Sequence, residues 1–214
     1  MINWFPWLLG LIAAFGSSNF LFHGLKSRDP MLLFFGTSFF FLGLSGVAQA
    51  LGVFNQAFNQ SEHTEWFIRF CVFSAHVVFY SALAVLVREV KPPFARFPSV
   101  FVGLPLLLLL AFPLASNIPV ILNWIELIFQ IGAILILALL LVVIGKIQKE
   151  YYKLFIPIIL CTLSLLSYYV EPINDRISYL WQVLFLLGML YFGYQFDRII
   201  MLELKIDSQF TQNN

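Results

Sequence analysis

Val120–Gly145 reads VILNWIELIFQIGAILILALLLVVIG. A single charged residue, Glu126, interrupts a run longer than the roughly 20 apolar residues that carry a helix across a bilayer. Its apolar residues do not alternate with polar ones, as the strands of a membrane barrel require over about ten residues. The stretch is therefore expected to be a membrane-spanning helix.

The rest of the chain follows the same composition. Over 214 residues, 61% are hydrophobic, 11% are charged, and the mean hydropathy is +0.90. A water-facing domain carries about 25% charged residues, so a soluble globule is excluded. With 25 Phe and 2 Cys, disorder and a disulfide scaffold are excluded as well.

Apolar runs between charged breaks predict an all-α polytopic membrane protein of seven transmembrane helices. The spans are Trp4–Leu25, Met31–Phe54, Trp66–Val87, Ser99–Ala115, Val120–Gly145, Leu154–Val170 and Ile177–Phe196. Together they form one bundle over residues 1–196, followed by a short cytoplasmic tail, 197–214. Pro105 and Pro113 predict a kinked or tilted fourth span. The first span has no Lys or Arg before it, and Lys26 and Arg28 follow it. That order is the reverse of a secretion signal, so the segment is expected to be retained.

Orientation follows from the basic residues. Of the 12 Lys and Arg, all but Arg69 and Arg176 fall in one set of connections. That set holds Lys26, Arg28, Arg88, Lys91, Arg96, Lys146, Lys149, Lys153, Arg198 and Lys205, and it is read as cytoplasmic. The N-terminus is then outside and the C-terminus inside. The 5 Trp (Trp4, Trp7, Trp66, Trp124 and Trp181) fall near the outer ends of spans one, three, five and seven, at headgroup level. An inner or plasma membrane is the expected location. Asn59-Gln60-Ser61, in the longest outer loop, is an N-glycosylation triplet, which has meaning only in a eukaryotic source.

Ionisable groups inside spans are costly and mark candidate sites. Arg69, His76 and Tyr80 share one face of the third span. Asn123, Glu126 and Gln130 share one face of the fifth. Gln49, Glu171 and Gln182 fall in the same outer half. These nine residues are the candidate ligand-binding set, with Arg69 and Glu126 paired or sharing a ligand. The competing reading makes them interhelical glue at about 0.6–2 kcal/mol per bond, with Arg69 snorkelling to the headgroups. Gly16, Ser17 and Ser18, with Gly43, Ser45 and Gly46, are read as close helix packing.

His23, His63 and His76 lie at different depths, which disfavours a bis-His haem. No catalytic constellation, metal site, cofactor or nucleic-acid partner is expected. Span number and orientation resemble the SWEET and PQ-loop transporters, but the Pro-Gln dipeptide that names the latter is absent. Alkaline ceramidase-like and haemolysin III-like hydrolases share the span number too. Ile177–Phe196, however, holds neither their last-helix His pair nor the Lys of a retinal protein.

The leading reading is a non-enzymatic binding or sensory module with a polar pocket in its outer half. Its expected partners are the lipid bilayer, a small-molecule ligand from the outer side, and a protein at the cytoplasmic tail. The alternatives are a small-solute transporter of 3+1+3 architecture and an intramembrane hydrolase with an unrecognised site.

Overall fold

A computed structural model of the chain describes residues 4–54, 62–90, 100–115, 118–144, 155–170 and 180–195. Among them run seven α-helices. They are α1 (Phe5–Ser27), α2 (Pro30–Phe54), α3 (Glu62–Val90), α4 (Val100–Leu114), α5 (Pro119–Ile144), α6 (Phe155–Val170) and α7 (Leu180–Gln195). Four of them, α1, α2, α3 and α5, are long and apolar enough to cross a membrane; α4, α6 and α7 are shorter apolar helices. This is a helical integral membrane protein. The tail 197–214 and Asn59 lie outside the described residues.

The chain divides into two compact units, Met1–Val143 and Ile144–Asn214. The first holds α1 to α5. A reverse turn joins α1 to α2. Arg28 takes the left-handed conformation (φ 56°), which costs a non-glycine residue about 1–2 kcal/mol. The Asp29 N–H closes the turn on Gly24 O at 3.1 Å. Asp29 Oδ1 then accepts the Met31 N–H at 2.8 Å and so caps α2, whose first residue, Pro30, has no N–H to satisfy.

Small residues let α1 and α2 run close together. A Cβ on Gly46 would lie 3.0 Å from Gly10 N and Pro6 O, and one on Gly36 only 2.6 Å from Leu21 Cγ. Ser17 Oγ donates across the gap to Gly36 O at 2.9 Å. Ser18 and Ser45, by contrast, spend their hydroxyls on their own helices, on Ala14 O and Leu42 O.

Within this unit α3 is central. Every residue from Cys71 to Leu83 is buried. Ser38 Oγ of α2 donates to Ala75 O at 2.7 Å, and Phe35 packs edge-on against Phe79. On another face of α3, Phe112 of α4 packs against Trp66, Phe70 and Phe73. The approaches 16/39 and 24/33 run α1 and α2 antiparallel, and the pairs 35/79, 38/75 and 41/70 do the same for α2 and α3. The pairs 69/126 and 73/129 run α3 and α5 parallel.

The chain between α3 and α5 therefore reverses direction, and α4 is its described helix. With 15 residues, α4 is only about 22 Å long. Pro105 and Pro113 both sit inside it, each removing a backbone donor.

Within the unit α5 buries Leu122, Ile125, Glu126, Phe129 and Ala133, at helical spacing. Among its later described residues, Ile134 to Ala138, none is buried. The opposite face is apolar and uncovered, as a surface in contact with lipid is.

The second unit repeats the tight-hairpin device. Ser164 Oγ of α6 donates to Trp181 O of α7 at 2.6 Å. A Cβ on Gly188 would sit 3.0 Å from Pro157 O. Trp181, read from sequence as an interfacial anchor, is buried and packs edge-on against Tyr168.

Candidate functional site

A charge placed among apolar residues must find a partner or stay near water. Arg69 lies seven residues after the start of α3 at Glu62, and Glu126 seven after the start of α5 at Pro119. In parallel helices, equal offsets of about 10 Å bring the two to one level. Arg69 Nε donates to Glu126 Oε1 at 2.7 Å and Nη2 donates to Oε2 at 2.8 Å. Such a bidentate fork fixes both distance and orientation. Asn123, one turn before Glu126, adds its Oδ1 as acceptor for Nη2 at 3.2 Å.

The pair is not symmetric. The Glu126 side chain is 7% exposed and that of Arg69 is 35% exposed. The negative end of the pair is thus buried and the positive end faces outward. Both carboxylate oxygens are occupied, and so is Asn123 Oδ1. The partly exposed members of the cluster are Arg69 and Asn123, which lies on the exposed side of α5.

His76, about 10 Å further along α3, is buried and donates from Nδ1 to Val72 O at 2.9 Å. That bond puts the proton on Nδ1, leaving Nε2 as the acceptor nitrogen. Tyr80 is fully buried, its ring edge-on to Phe79 and Phe129. Gln130 is half-buried one turn beyond Glu126, and Gln49 is half-buried near the end of α2. Gln182 is buried on α7, in the other unit, and Glu171 lies outside the described residues.

Trp66, one turn before Arg69, stacks on Phe70 with ring planes 2° apart. Its Nε1 is buried without a hydrogen-bond partner, as is Ser74 Oγ. Neither was legible as an unsatisfied donor, since sequence carries no signal for a missing partner. Among the described residues no three His, Cys, Asp or Glu side chains converge as a metal site would require.

The chain matches no family model, no curated protein and no solved structure.

Proposed function

We propose that the chain is a multi-pass, non-enzymatic binding or sensory module of an inner or plasma membrane. Its ligand site is built on Arg69, Asn123 and Glu126. The observation that carries this reading is a bidentate ion pair within a long apolar helix, its carboxylate buried and its guanidinium partly exposed.

The reading includes seven spans, with the N-terminus outside and the C-terminus cytoplasmic. It is supported by the parallel course of α3 and α5, which requires the intervening chain to return across the thickness of the unit. Tilt of its neighbours or local thinning of the bilayer would accommodate so short a return helix as α4. Basic residues at the end of α1, with Lys26 and Arg28 both exposed, support the cytoplasmic side.

A transporter finds less support. Ile131 to Ile144 contains no polar side chain, so the polar face of α5 does not continue inward. The test is a ligand screen by thermal shift on the wild type, Glu126→Gln and Arg69→Ala proteins. Ligand responses lost in the two variants support the reading, and responses unchanged in both contradict it.

A further inference from the structure

The exposed face of α1 carries a polar group that lipid cannot satisfy. α1 packs on α2 through Gly10, Gly16, Ser17 and Gly24, all buried, and turns its other face outward. On that face lie Leu8, Phe15 and Phe22, which are 54%, 78% and 65% exposed, together with exposed Asn19. Asn19 stands about 21 Å from the start of α1 at Phe5 and about 12 Å from its end at Ser27. That depth is inside the hydrocarbon core, about 30 Å thick, and so short a side chain reaches neither interface. Ser18 and Ser27 spend their hydroxyls on Ala14 O and His23 O of their own helix. Asn19 has no hydrogen-bond partner among the described residues. Acyl chains offer none, so the carboxamide calls for another helix.

Spacing and symmetry say which helix. Leu8, Ile12, Phe15, Asn19 and Phe22 recur at intervals of four and three, the seam of a left-handed helix pair, with Asn19 inside it. Two copies of one chain in one membrane share their orientation. A two-fold axis along the membrane normal therefore sets the two α1 helices parallel, each residue opposite its counterpart at the same depth. A carboxamide is both donor and acceptor, so two of them close a reciprocal pair. A second copy necessarily brings a carboxamide to this level.

We propose that α1 is the interface of a homodimer. Asn19 of each copy bonds to Asn19 of the other across the two-fold axis, and Leu8, Phe15 and Phe22 fill the seam. The interface uses none of the residues of the proposed ligand site and is tested independently of it.

The experiment is sedimentation equilibrium of the detergent-purified full chain, as wild type, Asn19→Leu and Asn19→Gln. Position 19 is exposed, so neither variant disturbs the core. It is paired with copper-catalysed disulfide formation in membranes containing Phe15→Cys, Phe22→Cys or Leu135→Cys chains. Cys71 and Cys161 are buried and contribute little background. The wild type is expected to be a reversible dimer. Asn19→Leu should raise its dissociation constant about 3- to 30-fold, the range of one hydrogen bond between membrane helices, and Asn19→Gln should change it less. Phe15→Cys and Phe22→Cys should cross-link, and Leu135→Cys, on the exposed face of α5, should not.

A wild type that stays monomeric at every concentration overturns the proposal, whether α1 then meets lipid, another protein or another segment of its own chain. A dimer whose dissociation constant is unchanged in Asn19→Leu, or one that cross-links through Leu135→Cys and not through α1, overturns the assigned interface.

Discussion

Arg69 holds Glu126 through two parallel hydrogen bonds, of 2.7 and 2.8 Å, yet the two side chains are unequally buried. The inequality makes the consequences of losing each partner different. Arg69→Ala strands a buried carboxylate and should cost about 3–5 kcal/mol. Glu126→Gln keeps an acceptor for the guanidinium and leaves a cation with access to water and headgroups. It should cost about 1–2 kcal/mol. Unfolding of the two variants in one detergent checks the order, and equal losses would contradict it.

Glycines in this chain divide by what stands opposite them. At Gly36 a Cβ would meet Leu21 Cγ at 2.6 Å and Leu21 N at 2.9 Å, so α1 and α2 must part. Gly36→Ala is expected to destabilise by about 1–3 kcal/mol, as overpacking does. At Gly132 nothing lies within 4 Å. Gly132→Ala should be neutral or stabilising by up to about 1 kcal/mol through helix propensity. Thermal unfolding of the pair reads the opposite signs directly.

Orientation is accessible through thiol labelling, because Cys71 and Cys161 are both buried and give little background. Ser27, at the end of α1, and His63, at the start of α3, are both exposed. In intact cells a membrane-impermeant maleimide should label His63→Cys. It should label Ser27→Cys only after permeabilisation. Labelling of both without permeabilisation would overturn the proposed topology.

Helix type and the polar level were legible in the sequence because the membrane imposes them. Long apolar runs leave helices as the available spanning structure, and a lone Glu126 in such a run demands a cation at its own depth. Arg69 was the basic residue available at that depth. What sequence could not supply was direction. His76 and Tyr80 share the face of Arg69, yet His76 bonds to Val72 O of its own helix and Tyr80 packs its ring against Phe129. Gly36 carried no mark of its closeness to Leu21, since a single glycine among Phe residues reads as neutral until its neighbour is known. The serines divided likewise: Ser17 and Ser38 bond across helices while Ser18 and Ser45 bond within them, a difference set by helix rotation alone.

The central claim is that Arg69 and Glu126 act as one unit joining α3 to α5. A double-mutant cycle with Arg69→Met and Glu126→Met, read by equilibrium unfolding in detergent, isolates that interaction. The account predicts a coupling of about 1–3 kcal/mol, with the double variant more stable than the sum of the single losses implies. Losses that add to within about 0.5 kcal/mol would mean that the two side chains act independently, and would contradict it.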